Sequence, residues 1–578
     1  MDLTNGKGGC GVSISVEKMA GIVIQDERLR PAAEKLAFHL KPLMDTPLCV
    51  TTEPLSPCLF VSVDNTLPDG YTIKASGDNV CIFGANLAQT VRGVYAFLSE
   101  VCGIRYFTKK GATYTNATTA IPADLDLAYS PAFEFTETDW LSPRDSEYAL
   151  FNQLNGAAYR AIPNELGGAV QFLPRMAHTF TSHFCKAKTY FADHPEYFAL
   201  RGGKRTPKQL CLSNPDVLNI VTDEVLALLK EKHDPTAPLQ IVSLSQADNL
   251  SFCRCPACRE TDKKHGSHAG TMLTFVNAVA RAVKAAGYEN VVLATYAYQY
   301  SRKPPKDLVP EDNVMIMTCS IECCFSHPLE STSCKTNREF QEDLRGWAAI
   351  CRRIYMWDYT TNYSHFVGLF PNFGVLSPNI RFFKENNVKG IYEEGNYTLK
   401  TCDPEFAELR AYLITRLFRD PYCDLQKERE AFLSSYYGDG GEAIGRFLDI
   451  ITQNAPKRHV GIFQSMGQTL ALSRKDRAAC ETLWNEAEAA ATGDALQNVK
   501  NSRLSWRYWK MKNRCGEFKN PFTYRRKKQA LIDDATRAGV TRWHEAGKTR
   551  TFFVSLYQTL FFRLRPLAGA VVKFLYRL

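Results

Sequence analysis

Eight short apolar segments, each followed by a helix-like stretch, recur between residues 131 and 420, and this alternation restricts the fold more than any other feature. β-Branched and aromatic residues dominate the segments, and polar or acidic residues end them, as in parallel strands. We number them barrel strands one to eight: FEFTETDW, the region near NQLNGAAYRAI, AHTF, IVSLSQADN, VVLATYAYQY, VMIMTCSIE, IYMWDYTTN and GIYEEGNY. Eight strand–helix units predict a (β/α)₈ barrel of the TIM type. An open doubly wound sheet is the alternative, but no G-x-G-x-x-G or P-loop pattern follows any strand.

The flanking regions have different patterns. Residues 13–108 alternate strand-like and helical segments, which is typical of a small α+β domain. After about residue 420 the amphipathic spacing is helical throughout. We therefore expect the α/β fold class, with an N-terminal α+β domain at 1–120, the central barrel at 121–420 and a helical C-terminal domain at 421–578.

The net charge of +9 comes from the end of the chain. Residues 501–578 contain eighteen Lys and Arg against four Asp and Glu, whereas the preceding residues contain 52 basic and 57 acidic side chains. A mildly acidic body is poorly suited to a polyanion, so we expect no nucleic-acid partner.

The location is predicted from what the sequence lacks. No apolar leader follows Met1, no apolar run is long enough to span a membrane, and nineteen cysteines are irregularly spaced. These features predict a cytoplasmic protein with reduced thiols. A true start upstream would instead place it outside the cytoplasm.

Carboxylates crowd the predicted strand ends. They are Glu137 and Asp139 after strand one, Asp248 after strand four, Glu322 after strand six, Asp358 on strand seven, and Glu393 and Glu394 after strand eight. The loops at these ends of a barrel converge on one pocket. Glycoside cleavage needs one protonated acid and a second group that stabilises a positive anomeric centre, and crowded carboxylates supply both.

Amide, imidazole and aromatic side chains surround these acids and suit the recognition of sugar hydroxyls and ring faces. The candidate substrate-binding residues are His178, Asn249, Tyr298, Trp357, Asp358, Asn362, Asn396 and Tyr397.

The same segments carry a family resemblance. SLSQADN with CRCPAC, then SIECCFSHPL, MWDYTTNYSH and GIYEEGNY resemble the domain-of-unknown-function 4838 family, which includes endo-β-N-acetylglucosaminidases of glycoside hydrolase family 163. The N-terminal segments DGYTI and GVYAFLSEVCGIRYF resemble the N-terminal domain of α-glucuronidases. The resemblance implies a retaining hydrolase of N-acetylglucosamine-containing glycans, in which the acetamido group of the substrate attacks.

Three residues lie in the motifs that carry this resemblance: Asp248, Glu322 and Glu393. The resemblance implies Glu322 as acid/base and Asp248 as the group that polarises the acetamide, although these two roles are interchangeable. Family members often have Asn-Asp-Asn where this chain has Ala247, Asp248 and Asn249, so one binding contact is absent.

Two alternative functions remain open. An α-glucuronidase-like hydrolase would bind the substrate carboxylate through Arg144, Arg160 or Arg302. The other alternative is a non-catalytic glycan-binding protein that has the barrel fold but no hydrolase activity. In every case the expected partner is an oligosaccharide or a glycoprotein glycan, and catalysis needs no cofactor.

Cysteines cluster after strand four. Cys253, Cys255 and Cys258 form C-x-C-x-x-C, with Cys323, Cys324 and Cys334 after strand six. Three thiols within six residues are compact enough for a structural zinc ion. Free or disulfide-linked cysteines are the alternative.

The tail alternates basic and apolar residues in FKNPFTYRRKKQA and RTFFVSLYQTLFFRLRPLAGAVVKFLYRL. Such a pattern suits weak contact with an anionic membrane surface, or a helix packed on the barrel with a solvated basic face.

Overall fold

The structure is a computed structural model that describes residues 13–237, 239–397 and 404–545. The predicted membrane-facing segment at 550–578 lies outside these residues. Within the described part of the chain, no helix combines the length and the apolar character needed to cross a bilayer.

The N-terminal region forms a six-stranded mixed sheet in the order β10-β5-β6-β4-β2-β3. Leu59 and Val61 of the CLFVSV strand are fully buried, in line with the apolar pattern of this segment. The elements are β1 (Ser13–Ser15), β2 (Gly21–Ile24), α1 (Arg30–Leu40), β3 (Val50–Thr51), β4 (Cys58–Val63), β5 (Tyr71–Ser76), β6 (Asn79–Gly84), α2 (Leu87–Ala96), β7 (Arg105–Thr108), β8 (Gly111–Thr113), β9 (Ala120–Pro122) and β10 (Asp126–Tyr129).

A curled parallel sheet of seven strands follows, in the order β11-β19-β18-β17-β16-β15-β12. Every residue of β16 and β17 is buried, as expected for parallel strands covered on both faces. The strands are β11 (Phe135–Thr138), β12 (Gln171–Leu173), β15 (Gln240–Ser243), β16 (Val291–Ala297), β17 (Val314–Cys319), β18 (Ile354–Tyr359) and β19 (Val388–Glu394).

A short segment at residues 155–157 joins the two edges of this sheet. The Gly156 N–H donates to the Thr136 carbonyl at 3.2 Å, and the Val170 N–H donates to the Asn155 carbonyl at 2.8 Å. A Cβ on Gly156 would lie 2.3 Å from a carboxylate oxygen of Glu137, so only glycine fits. The segment takes the place of barrel strand two, and the strands form a closed ring.

Helices and one hairpin cover the outside of the ring. Their bounds are α3 (Ser146–Phe151), α4 (Ala187–Tyr190), β13 (Phe198–Arg201), β14 (Lys204–Leu210), α5 (Pro215–Lys232), α6 (Pro256–His265), α7 (Ala269–Ala285), α8 (Lys335–Ile350), α9 (Phe373–Glu385) and α10 (Ala407–Arg419). The β13–β14 hairpin and α6 are additions to the basic barrel unit.

Predicted strands one and four to eight agree with the structure, whereas strand two is only the bridging segment at Gly156 and strand three lies elsewhere. The observed strand is Gln171–Leu173, whereas the predicted AHTF segment leads into a helical turn at Phe180–Phe184. The strand is only three residues long, so it carries too little apolar periodicity to be recognised.

Five helices follow the barrel: α11 (Leu425–Tyr437), α12 (Gly441–Asn454), α13 (Arg474–Ala490), α14 (Gly493–Lys512) and α15 (Pro521–Arg537). Their core is built around the buried rings of Trp484, Trp506 and Trp509. A mixed α/β chain with a curled parallel sheet and a helical C-terminal region confirms the predicted fold class. The predicted domain boundaries at 120 and 420 stay predictions.

An ionic network joins the N-terminal region to the barrel. Glu100, which follows α2, pairs with Arg416 at 3.0 Å and with Arg419, both on α10, and with Arg105 at 3.5 Å. Burial opposes ionisation of Glu100, but the charges of these arginines hold its pKa well below the ordinary value. The carboxylate is therefore ionised in the folded protein and balances several buried cations.

We predict that Glu100→Gln lowers the free energy of unfolding by about 3 kcal/mol near neutral pH, because it removes the carboxylate that pairs with Arg419 and leaves Arg416 with only Glu428 as a counter-charge. A pKa lowered by folding stabilises the protein above the unfolded value of 4.5, and this contribution is lost as the pH falls further. Urea denaturation at several pH values should therefore show the two proteins converging below about pH 4. Exposed Glu27→Gln is the control, and equal stability of Glu100→Gln and wild type at pH 7 would contradict the prediction.

Candidate active site

The last residues of β19 point to opposite sides of the barrel wall. Tyr392 lies in the apolar cluster inside the ring, and Ile391 lies in the cluster between the ring and the helices. Since side chains alternate along a strand, Glu394 faces the inside with Tyr392, and Glu393 faces the helices with Ile391. The two neighbouring acids therefore have different surroundings.

Glu394 and Asp139 form an acidic pair at the inner surface of the mouth. Trp357 Nε1 donates to Glu394 Oε2 at 2.6 Å, and the Gly395 N–H donates to Asp139 Oδ1 at 2.6 Å. Burial and the charge of Asp139 raise the pKa of Glu394 to about 8, and burial raises the pKa of Asp139 to about 6. The pair therefore holds one proton near neutral pH.

Glu393 and Asp358 form a second acidic pair on the helix side of the wall. They are direct neighbours in the β18–β19 register, and Ser320 Oγ donates to Asp358 Oδ1. Burial and the charge of Asp358 raise the pKa of Glu393 well above its ordinary value. Both residues are almost completely buried, at 1% and 4% exposure, so a substrate in the mouth does not reach them.

Asp248 lies in the exposed loop after β15. The Tyr298 hydroxyl donates to its Oδ1 at 2.9 Å, and the Gln299 amide donates to the same oxygen at 3.0 Å. Gln299 has a φ of +52°, a left-handed conformation that is uncommon outside glycine and is often found at functional sites. The carboxylate of Asp248 is thus held in one orientation by two donors.

Glu322 follows β17 and is half-exposed. Its carboxylate pairs with Arg302, which also binds Asp343 at 2.6 Å. Glu322 would have to break its ion pair with Arg302 before it could donate a proton to a substrate. The structure therefore places Glu322 at the mouth, but in an ion pair.

Asp248 and Glu394 approach the mouth from opposite sides, because β16, β17 and β18 separate their strands in the ring. The buried Cys319 thiol of β17 lies between them. Burial raises the pKa of this thiol well above its ordinary value, and three carboxylates raise it further: Glu394, Glu322 and Asp248. The inner surface of the mouth is thus acidic on both sides.

Aromatic rings line the space beneath these acids. Trp357 packs edge-on against Tyr392 with ring centroids 4.7 Å apart, and the hydroxyls of Tyr392 and Tyr159 lie 2.8 Å apart. Tyr159 also lines a groove of about 530 Å³ beside the mouth, which extends to Arg175. Rings and acids together make a surface that suits a sugar.

The other predicted binding residues lie around this mouth but mostly serve the loops. His178 Nδ1 is 2.8 Å from the Gln246 carbonyl oxygen, and Asn249 Nδ2 donates to the Lys208 carbonyl. The buried Asn362 amide donates to the Gln464 carbonyl after α12, and the Tyr397 hydroxyl donates to the Glu545 carboxylate. Asn396 is fully buried, whereas Tyr298 and Trp357 contact the acids directly.

The predicted cysteine cluster gains a fourth member, Cys211, at the end of the β13–β14 hairpin. The ligand atoms of Cys211, Cys253, Cys255 and Cys258 all lie within 4.8 Å of one another, and all four side chains are buried. Cys211 Sγ is 3.6 Å from Cys255 Sγ and 4.0 Å from Cys258 Sγ. Zinc–sulfur bonds of about 2.3 Å in a tetrahedron place sulfur atoms about 3.8 Å apart, so the spacing fits zinc.

A family model described as a domain of unknown function, DUF4838, matches residues 106–449, which is more than half of the chain. The chain belongs to the DUF4838 family. The match covers every barrel strand and all the acids of the mouth. No curated protein matches this DUF4838 chain.

Among solved structures, one match is a family GH115 4-O-methyl-α-glucuronidase with specificity for decorated arabinogalactans. It has a TM-score of 0.56 at 10% identity, over 90% of this chain and 76% of that chain. Another is a family 89 glycoside hydrolase from Clostridium perfringens, with a TM-score of 0.49 at 10% identity, over 89% of this chain and 66% of that chain. The first similarity shows that the DUF4838 chain shares the fold of a glycoside hydrolase.

We predict that Glu394 makes the stability of the protein depend on pH. Its pKa is raised by folding from 4.5 to about 8, so its contribution is complete at low pH and is lost as the pH rises towards 8. From pH 5 to pH 8 the loss is on the order of 4 kcal/mol. Glu394→Gln keeps the shape without the ionisation, so urea denaturation should show a smaller loss over this range. Glu322→Gln is the control, and equal losses in Glu394→Gln and wild type would contradict the prediction.

Proposed function

We propose that this DUF4838 protein is a glycoside hydrolase that cleaves a bond in an N-acetylglucosamine-containing glycan at the mouth of its barrel, with retention of configuration. The observation that carries the proposal is a carboxyl group with a raised pKa, Glu394, opposite an exposed and oriented carboxylate, Asp248. Glycoside cleavage needs such a division between an acid and a second group.

Glu394 is the proton donor in this proposal. A pKa of about 8 keeps the carboxyl protonated at neutral pH, as a general acid requires. Trp357 Nε1 donates to Oε2 and the Tyr363 hydroxyl neighbours the same carboxyl group, and in this proposal Oε1 carries the proton. This assignment differs from the sequence-based choice of Glu322. The Glu322 carboxylate is held in an ion pair with Arg302 and is therefore less suited to donate a proton.

Asp248 orients the acetamido group of the substrate. Both of its protein donors bind Oδ1, so Oδ2 can accept the acetamide N–H. The acetamide oxygen then forms a bond to the anomeric carbon as the bond to the leaving oxygen breaks, and the proton of Glu394 passes to that oxygen. Water afterwards attacks the anomeric carbon as the bond from that carbon to the acetamide oxygen breaks, and the water gives a proton to Glu394, which restores the enzyme and retains the configuration.

A neutral sugar suits the mouth better than a uronic acid does. Arg160 is fully buried in an ion pair with Glu137, and Arg302 lies between Glu322 and Asp343. Because these two guanidinium groups already have counter-charges, a substrate carboxylate would have to displace an acid of the protein, and the third candidate, Arg144, already donates to the Asp139 and Tyr397 carbonyls. The contacts therefore favour the N-acetylglucosamine substrate over the glucuronide alternative.

The neighbouring acids of β19 provide a matched test. Glu394→Gln should lower kcat/KM by about 10²- to 10⁴-fold, which is the usual contribution of a general acid. Glu393→Gln should stay close to wild type, because Glu393 is buried on the helix side of the wall, outside the mouth. The measurement is the release of the aryl group from an aryl N-acetylglucosaminide, together with glycan release from a complex N-glycoprotein.

Controls separate the proposal from its alternatives. Asp248→Asn should also reduce turnover, by about 10²- to 10³-fold if it removes an oriented charge. Full activity in Glu394→Gln with loss in Glu322→Gln would return the acid role to Glu322. Turnover of an aryl glucuronide alone would favour the glucuronidase alternative, and binding of glycans without any turnover would favour a non-catalytic protein.

We also propose that the four-cysteine cluster holds a structural zinc ion. Backbone donors support negative sulfur atoms there, since the Leu200 N–H lies 3.3 Å from Cys253 Sγ and the Cys258 N–H lies 3.5 Å from Cys255 Sγ. The ion would fasten the β13–β14 hairpin to the loop that carries Asp248.

Cys255→Ser should therefore remove one zinc ion per chain and lower the midpoint of thermal unfolding, as measured by plasma mass spectrometry and calorimetry. Exposed Cys49→Ser is the control that should change neither value. Zinc contents that are equal in Cys255→Ser and wild type would show that the four thiols bind no metal.

A further inference from the structure

A second group of metal-ligand side chains lies on the other side of the barrel mouth. Cys324, His327 and Cys334 belong to the loop between β17 and α8, and His459 follows α12. Their four ligand atoms lie within 4.8 Å of one another. The fold thus brings two thiols and two imidazoles together, although the first and last of these residues are 135 positions apart in the sequence.

The distances in this group fit one ion at the centre. Cys324 Sγ lies 3.2 Å from His327 Nδ1, and Cys334 Sγ lies 3.6 Å from His459 Nδ1. Zinc–sulfur bonds of about 2.3 Å and zinc–nitrogen bonds of about 2.0–2.1 Å give a sulfur–nitrogen separation of about 3.6 Å in a tetrahedron. The two imidazole rings stack with centroids 4.6 Å apart, so the two histidine side chains lie directly beside each other.

Hydrogen bonds to the backbone fix the loop that carries three of these residues. Asn337 of α8 accepts from the Cys324 N–H at 2.8 Å and donates to the Cys324 and His327 carbonyls at 3.1 and 3.0 Å. The Phe325 N–H donates to the Val460 carbonyl at 2.8 Å. These bonds bring His459 to the loop without help from an ion, so the ligand positions are preorganised.

The ligand chemistry selects the ion. Two sulfur and two nitrogen ligands exclude calcium and magnesium, which bind oxygen, and a closed tetrahedral S₂N₂ set is typical of zinc.

We propose that Cys324, His327, Cys334 and His459 form a Cys₂His₂ zinc site that fastens the loop after β17 to the segment after α12. Cys324 and Cys334 are buried, His327 is half-buried and His459 is exposed, so the ion is reachable from solvent on one side. Glu322 lies two residues before Cys324, so the ion also fixes one rim of the mouth. The site is independent of the reaction proposed above and of the four-cysteine cluster.

The test compares zinc content in the full-length protein after dialysis against a mild chelator. His459→Ala should contain one zinc ion per chain fewer than wild type, because its exposed ring contributes a ligand and little packing. His194→Ala, another exposed histidine, should retain the wild-type content. The double variant Cys324→Ser/Cys334→Ser should lose the same single ion. Combining it with Cys255→Ser should lower the zinc content by two ions per chain.

X-ray absorption at the zinc edge of the Cys255→Ser protein gives a readout that does not depend on the Cys₂His₂ variants. A zinc ion with two sulfur and two nitrogen atoms as its nearest neighbours in this spectrum would support the Cys₂His₂ site. Unchanged zinc in His459→Ala and in the double variant would overturn it, and so would a Cys324–Cys334 disulfide found by mass spectrometry of the non-reduced protein. If Cys255→Ser does not fold, the wild-type spectrum replaces it: nitrogen neighbours beside the sulfur atoms of the four-cysteine cluster support the site, and a spectrum with no nitrogen neighbours at all would overturn it.

Discussion

The burial of paired carboxyl groups on the inner surface of the barrel mouth is the constraint that gives this protein its chemical character. Asp139 and Glu394 end adjacent strands, and neither can be ionised freely while the other is charged. Parallel strands place all their carboxyl ends at one edge, which makes this crowding a consequence of the fold. The same edge carries the exposed acid Asp248, which approaches the mouth from the other side of the ring.

Much of the fold could be predicted from the sequence, because long apolar strands and amphipathic helices have strong periodicity. Barrel strands four to eight were located within a few residues. Strand three was placed incorrectly because it has only three residues, from Gln171 to Leu173. Strand two is a bridging segment at Gly156, whose role depends on the space beside Glu137 and not on any local pattern.

The site could be predicted less well. Carboxylates at strand ends identified the mouth, but the choice between Glu393 and Glu394 depends on which side of β19 each residue faces. Tyr392 is two residues before Glu394 and lies inside the ring, so this alternation was the available signal. Cys211 and His459 come from distant segments, and only the three-dimensional structure brings them to Cys253 and Cys324. Such long-range groups have no signature in a single sequence.

The proposed reaction depends on Glu394 keeping its proton near neutral pH in the folded protein. The most direct measurement is an infrared difference spectrum between wild type and Glu394→Gln at pH 7, without any substrate. Wild type should have an additional carbonyl band of a protonated carboxyl group, and this band should disappear as the pH rises past about 8. A difference spectrum with only carboxylate bands at pH 7 would contradict it.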